Sequence, residues 1–388
     1  MKHSGTEAPP TIMDVAVHAG VSRATASRAL SGYGVVNAAT RDRVRAAAEQ
    51  LGYVPNVLAR SMRAGKTQTI GLIITEVGLS VFDLAMRAVI EAAHSKGYQV
   101  LVANTNEDST AERESVRVML EKQVDGLILV PSSVSDLDFI SPPALRGKPI
   151  VLLDRNIQSL NIPSVSADNR TGLQDALAHL LKNGHSKIGL VVVTAHVQGE
   201  TTARPEQLVS TLHDRTEGYL EGMAAAGLKV HDQWVWFAED GGESARRAAR
   251  NLLDCDDPPT AIIGSNANVS LALLSVAKER ALVVGRDISL IGFDDAPWAS
   301  VLTPGLSVID LPIEQMAKAA VDNLIAQIAA TDTPAPATSA TQTSATQTSA
   351  TQALAPHRFA GPSLSGDSIV IPMRLILRGS VGAPALNP

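Results

Sequence analysis

From Thr11 to Gly52 the apolar positions recur at helical spacing, interrupted by short breaks. Thr11 is placed to cap a first helix whose Val15, Ala16 and Ala19 turn inward. Gly20 then supplies the left-handed turn that residues with a Cβ resist. Ser22 is placed to cap a second helix that runs through Leu30. Thr40 reads as the cap of a third, along which Val44, Ala47, Ala48 and Leu51 form one apolar face, and Gly52 ends it. Three short helices, one tight turn and arginines on the second helix are the layout of a DNA-reading helix-turn-helix. The segment following Tyr53-Val54-Pro55-Asn56 is too brief to be a stable helix in isolation.

At Thr69 the period changes. The run Ile70-Gly71-Leu72-Ile73-Ile74 reads as a buried strand, followed by a helix near 83–96 and a strand at 100–103. The alternation continues with a helix at 111–122 and strands at 126–130 and 150–153. Beyond Asp168 a second series begins: helix 172–182, strand 188–193, helix 215–226, strand 235–237, helix 243–253, strand 261–263, helix 269–280 and strand 289–292. This predicts an α/β core of two doubly wound parallel-sheet lobes behind an all-α headpiece. The expected division is a disordered lead-in over 1–10, a headpiece over 11–54, a hinge and linker over 55–67, and a core over 68–388. Within the core, 68–167 with about 297–327 is assigned to the N-terminal lobe, and 168–296 with about 368–382 to the C-terminal lobe. Between them, 331–367 carries ATQTS repeats without apolar anchors and is expected to be a flexible insert.

Charge sharpens this division. The chain of 388 residues carries a formal charge of −6, yet residues 1–66 hold nine Lys/Arg against four Asp/Glu, and the rest 24 against 35. A basic head on an acidic body suits contact with phosphate at one end. Cys255 is the single cysteine, so neither an intrachain disulfide nor a cysteine zinc site is possible within one chain. With no apolar stretch long enough for a bilayer and no signal-peptide pattern, a cytoplasmic protein without membrane partners is expected. Gly65-Lys66-Thr67 lacks the first glycine of a phosphate-binding loop, with Arg60 in its place, and precedes a strand instead of following one. Asp254, Asp256 and Asp257 lack the spacing of a cation loop, and His185 has no nucleophile or orienting acid at a recognisable spacing. Neither an enzyme nor a cofactor is expected.

The stretch TIMDVAVHAGVSRATASRAL closely resembles the headpiece of the lactose-repressor (LacI/GalR) family of bacterial regulators. The resemblance continues through TRDRVRAAAEQLGYVPNVLARSMRAGKTQTIGLI, VDGLILVPS, the DR of LLDR, HLLKNGHSKIGLV, DRTEGY and DISLIGFDD, in the family's order and over nearly the whole chain. It implies that the second helix lies in the major groove, with Arg23 and Ala24 at the positions that vary with operator sequence. Arg23 has the chemistry for a bidentate contact to a guanine edge. By the same resemblance Thr11, Ser22, Thr25, Ser27 and Arg28 join the DNA-contacting set, and Asn37 and Thr40 fall on phosphates. Taken without it, Arg28 is a solvated surface charge. The segment after Asn56, with Ala59, is implied to form a hinge helix on DNA, where Met62 replaces the usual leucine wedge in the minor groove.

The resemblance also implies a small-molecule effector, sugar-like in the family, held between the lobes at the strand C-termini. The implied positions are Leu79, Val81, Phe82, Asp154, Arg155, Arg215, Asn266 and Asp294. Arg215 offers a donor fork and Asp294 an acceptor for vicinal hydroxyls, or the two form a salt bridge at a lobe edge. Three positions depart from the family pattern: Leu79-Ser80 precedes Val81-Phe82 where Asn-Pro is usual, Ala267 follows Asn266, and Asp240 replaces a stacking aromatic. The stretch between Val193 and Arg215 is long and carries His196, Glu200 and Arg204, while Trp298 either lines the cleft or packs under a crossover. The implied function is a repressor that binds a pseudo-palindromic operator as a homodimer or tetramer under allosteric control by the effector. An effector-independent regulator of the same fold and a solute-binding protein are the alternatives.

Overall fold

The computed structural model describes residues 9–31, 35–53, 66–78, 80–135, 137–195, 197–239, 242–331 and 368–385. The chain divides into two compact units, residues 1–67 and 68–388. Asn56, Ala59, Met62, Leu79, His196 and Asp240, with most of the predicted lead-in and insert, lie outside the described residues.

The first unit is built from α1 (Ile12–His18), α2 (Arg23–Ser31) and α3 (Ala38–Leu51). Thr11 caps α1 in a reciprocal box: its Oγ1 accepts from the Asp14 N–H at 3.4 Å, and its own N–H donates to the Asp14 carboxylate at 2.7 Å. Gly20 takes φ +63° between α1 and α2, where any side chain is strained. Ser22 Oγ accepts from the Thr25 N–H at 3.1 Å and starts α2. α3 begins earlier than its pattern predicts. Asn37 caps it, with Oδ1 accepting from the Thr40 N–H at 2.8 Å. Thr40, expected as the cap, is therefore the residue whose N–H is capped. Both are good capping types, and three residues of alanine-rich sequence do not distinguish them. The core is small-residue packing: Val15, Ala16, Ala19, Ala26, Ala29, Val44, Ala47 and Ala48 are all buried.

The second unit opens with β1 (Thr69–Ile74), α4 (Ser80–Ser95), β2 (Gln99–Asn104), α5 (Ser109–Glu121), β3 (Gly126–Leu129), β4 (Ile150–Asp154) and β5 (Ser164–Ala167). It continues with α6 (Asn169–Lys182), β6 (Ile188–Val193), β7 (Glu200–Thr201), α7 (Ser210–Ala225), β8 (Val235–Ala238), α8 (Gly242–Leu253), β9 (Ala261–Gly264), α9 (Ala267–Glu279), β10 (Ser289–Phe293), α10 (Pro297–Val301) and β11 (Ser307–Asp310). α11 (Ile313–Thr331), β12 (Ile369–Ile371) and β13 (Arg374–Ile376) complete it. One sheet has the order β12-β5-β4-β3-β1-β2, all pairs parallel; the other has the order β13-β11-β10-β9-β6-β8-β7, antiparallel at its two edges.

Strand periodicity explains the layering. In β1, Ile70, Leu72 and Ile74 pack with α4 and α11, whereas Ile73 packs on the opposite face with Val116 and Met119 of α5. Each such buried aliphatic side chain contributes roughly 1.5–3 kcal/mol relative to exposure. In the second lobe Gly218 lets α7 lie against α6, since a Cβ there would stand 2.7 Å from the Arg170 carbonyl oxygen.

The last third of the chain is distributed differently from its predicted lobes. β11, expected with the N-terminal lobe, pairs with β10 through Ile291↔Ser307 in the second sheet. β12, expected with the C-terminal lobe, pairs with β5 through Ile369↔Val165 in the first. α11 does join the first lobe, burying Met316, Ala320 and Leu324. Among the described residues the chain thus passes between the sheets three times: at Asp168, at Leu311 and Pro312, and at Pro372 and Met373. A short apolar strand carries no mark of which sheet it completes, so sequence order is a poor guide where the chain crosses back.

Candidate functional site

On the first unit, α2 presents Arg23, Ala24 and Arg28 to solvent, while Ala26 and Ala29 face the core. The Arg28 Nε donates to the Ala24 carbonyl at 3.2 Å, and the Ser22 and Thr25 hydroxyls lie 2.9 Å apart. Hydroxyls and a basic side chain therefore crowd the N-terminal turn of α2, where helix N–H groups and the macrodipole also favour anions. Asn37 and Thr40 start the next helix, with Asn37 exposed and its Oδ1 already used as a cap. The Thr11 backbone N–H and hydroxyl hold the Asp14 carboxyl below its usual range.

On the second unit, a cleft of about 710 Å³, open solvent at its mouth included, lies between the two sheets at the C-terminal ends of their strands. Each described residue assigned there by resemblance lines it: Val81, Phe82, Asp154, Arg155, Arg215, Asn266 and Asp294. Val81 and Phe82 lie in the first turn of α4, Asp154 ends β4, Asn266 caps α9, and Asp294 follows β10. The geometry adds residues that single positions did not reveal, among them Glu76, Glu107, Thr194, Thr211, Leu212 and Ser265. Glu76, Glu107, Thr194 and Ser265 share one signal, because each lies one to three residues beyond a strand end.

The two guanidiniums have different duties. Arg155 grips Glu107 with both terminal nitrogens, at 2.8 and 2.6 Å, and also donates to the Pro131 carbonyl at 2.7 Å. Its fork is committed within the N-terminal lobe and holds Glu107 at the cleft wall. Behind this pair the buried Glu112 accepts the Ser132 N–H at 2.5 Å, and burial raises its carboxyl above the usual range. Arg215 donates through Nε to Asn169 Oδ1 at 2.7 Å and through Nη1 to the Ser265 carbonyl. Its Cζ sits 3.9 Å over the Phe293 ring, a desolvated cation–π contact. Among the described residues no Arg215–Asp294 ion pair forms within 4.0 Å, so the lobe-edge salt bridge is not made.

Asp154 and Asp294 correspond across the cleft. One ends a strand of the first sheet and the other follows a strand of the second, with left-handed φ of +67° and +65°. Both are buried, at 7% and 8% exposure, and each has an Oδ1 without a hydrogen-bond partner. Burial raises both carboxyls above their usual range, against the pull of Arg155 and then Arg215 on Asp154 and of Arg215 on Asp294, which is pushed up to about 6. Buried polar atoms are normally paired, and residues held in the left-handed region cluster at ligand sites. Asn266 has one end engaged, Oδ1 capping α9 through the Val269 N–H at 2.8 Å.

The remaining candidates resolve outside the cleft lining. Trp298 packs against the core of the second sheet. In the long stretch after β6, Glu200 pairs with Arg247 at 3.0 Å, and Arg204 pairs with Glu217. His185 is buried between Thr260 Oγ1 at 2.8 Å and the Gly382 carbonyl at 3.0 Å, so it fastens the C-terminal segment. Asp254 and Asp257 are ion-paired with Arg280 and Lys187. No described helix is long and apolar enough to cross a membrane.

Comparison with known proteins agrees with both units. A family model described as bacterial regulatory proteins, lacI family, matches residues 11–56, and one described as periplasmic binding protein-like domain matches 177–349. The HTH-type transcriptional repressor PurR of Photobacterium profundum is 31% identical over 319 residues, covering 82% of this chain and 92% of PurR. The HTH-type transcriptional repressor CytR of Escherichia coli K12 is 30% identical over 328 residues, covering 84% and 92%. The crystal structure of the lac repressor dimer bound to operator and the anti-inducer ONPF shares the fold with a TM-score of 0.77 at 23% identity, over 97% of this chain and all of that one. A capped helix-turn-helix, a two-lobed parallel-sheet core and these relatives together establish the chain as a member of the lacI family of DNA-binding transcriptional regulators.

Proposed function

We propose that the protein is a cytoplasmic repressor that binds a pseudo-palindromic operator as a dimer and changes its operator affinity when a small molecule occupies the interlobe cleft. The observation that carries the DNA half is α2, which turns Arg23, Ala24 and Arg28 to solvent on a chain that is acidic overall. Arg23 reads a guanine edge in the major groove, Ser22, Thr25, Ser27 and Arg28 hold the helix on the duplex, and Thr11, Asn37 and Thr40 face the phosphates. Asn56, Ala59 and Met62 serve as the hinge and minor-groove wedge. The lac repressor relative, a dimer on operator with a small molecule bound, supports the dimeric arrangement.

Leu79, Val81, Phe82, Asp154, Arg215, Asn266 and Asp294 serve the effector, the described ones by lining its cleft, and Arg155 acts by holding Glu107. Support comes from their convergence on one cleft with unpartnered buried oxygens in both lobes. A ligand that touches both lobes favours one interlobe arrangement and shifts operator affinity by its differential affinity for the two states. The test is selection of a binding site from a random duplex pool by the full chain, followed by anisotropy titrations of the wild type and Arg23→Ala. The expected result is a two-fold-related site, on which Arg23→Ala binds about 10- to 100-fold more weakly at one symmetric base pair while binding to random duplex is nearly intact. Equal loss on every sequence would overturn the base-reading role.

A further inference from the structure

The cleft holds more carboxylate than its guanidiniums neutralise. Glu107 and Arg155 satisfy one another through two hydrogen bonds of 2.8 and 2.6 Å. Arg215, lying near both Asp154 and Asp294, has two of its nitrogens committed to Asn169 and Ser265 and its flat face to Phe293. That leaves Asp154 and Asp294, over nine-tenths buried, each with an unpartnered oxygen and one from each lobe. An unsatisfied buried carboxylate oxygen is costly, and two of them at one cleft call for donors from a ligand.

The geometry points to an effector that carries a protonated amine on a polyhydroxylated frame, with the ammonium and adjacent hydroxyls donating to Asp154 and Asp294. This rests on the effector reading above and names the ligand class for the same cleft. An ammonium supplies three donors and the missing positive charge, and in a desolvated setting a charge-assisted bond is roughly twice as strong as a neutral one. An anionic ligand fits poorly, because the Arg155 fork is occupied and Glu76, Asp154 and Asp294 share the wall. A flat heteroaromatic ligand has little to stack on. Among the described lining residues Phe82 is the aromatic ring, the Phe293 face being covered by Arg215. The other apolar lining is aliphatic, including Val81, Val193, Val209 and Leu212, which suits the carbon frame of a polyol.

The test uses matched pairs on the full chain: D-glucosamine against D-glucose, D-galactosamine against D-galactose and D-mannosamine against D-mannose, with D-glucose 6-phosphate as the anionic probe. Calorimetric and thermal-shift titrations near pH 7.5 are expected to show at least one amine binding about tenfold or more tightly than its neutral twin. That preference is expected to disappear in Asp154→Asn/Asp294→Asn, whose fold is checked by circular dichroism. Neutral twins that bind as tightly, or a phosphate that binds best, would overturn the amine while leaving the effector reading intact. Silence from every probe overturns the amine too. The effector reading itself falls only if a total small-metabolite extract also leaves operator affinity unchanged.

Discussion

The headpiece and the interlobe cleft make opposite use of polar side chains. In the headpiece they stand on the surface of an alanine-rich core, and the hydroxyls of Thr11 and Ser22 and the amide of Asn37 cap the helices that display the others. In the cleft the polar groups are buried, and two of them sit in left-handed backbone with an oxygen unsatisfied. A surface built on capped helices can change its reading residues with little effect on stability. A desolvated cleft cannot, because each charge there acts strongly on its neighbours through a poorly screened interior. Function and stability are therefore separable in the first region and opposed in the second.

The largest effect expected from breaking this contrast is in the cleft. Arg215→Met keeps an apolar body on Phe293 but strands Asn169 Oδ1 and the Ser265 carbonyl and removes the cation between Asp154 and Asp294. Urea unfolding should show the core transition destabilised by about 3–5 kcal/mol near neutral pH. A loss below about 1 kcal/mol would mean that water replaces the guanidinium without penalty. Arg23→Ala sits at the other pole. The same titration should find its unfolding within about 0.5 kcal/mol of wild type, even though its specific DNA affinity drops. Coupled loss of stability and binding would erase the distinction between the regions. Thr11→Ala is expected to have the smallest effect, about 1 kcal/mol on the headpiece transition, through loss of the hydroxyl half of the capping box. An unchanged headpiece melting temperature would show that the Asp14 carboxylate suffices.

What the sequence disclosed follows the same division. Helix spacing, Gly20, Gly52 and the capping residues specify the headpiece locally, and the single error, Thr40 for Asn37, comes from two good caps close together. The family resemblance implies the cleft residues position by position, so Asp154, Asn266 and Asp294 were legible one by one, and the structure puts each at or just beyond a strand end. What each side chain does there was not legible. The capture of Arg155 by Glu107, 48 residues away in the chain, and of Arg215 by Asn169, 46 away, depends on tertiary approach that no local pattern encodes. The exchange of β11 and β12 between lobes is hidden for the same reason: strand pairing across crossovers is set by the assembled sheets.

The most direct test of the cleft's character is the pH dependence of unfolding for the wild type and Asp294→Asn, in the full chain, from about pH 4 to 8. Asparagine tolerates the left-handed φ of +65° and keeps the shape of the side chain while removing its charge. Because Asp294 is pushed up to about 6 in the folded protein, the native state holds a proton that the unfolded chain has released between pH 4 and 6. Wild-type stability therefore carries no penalty from this group below about pH 4, loses ground as pH rises through about 6, and carries the full penalty above. The account predicts that Asp294→Asn gains on the wild type across that window and then holds a constant advantage, on the order of 2–3 kcal/mol at most. A difference independent of pH, or a variant less stable than the wild type at pH 7.5, would contradict it.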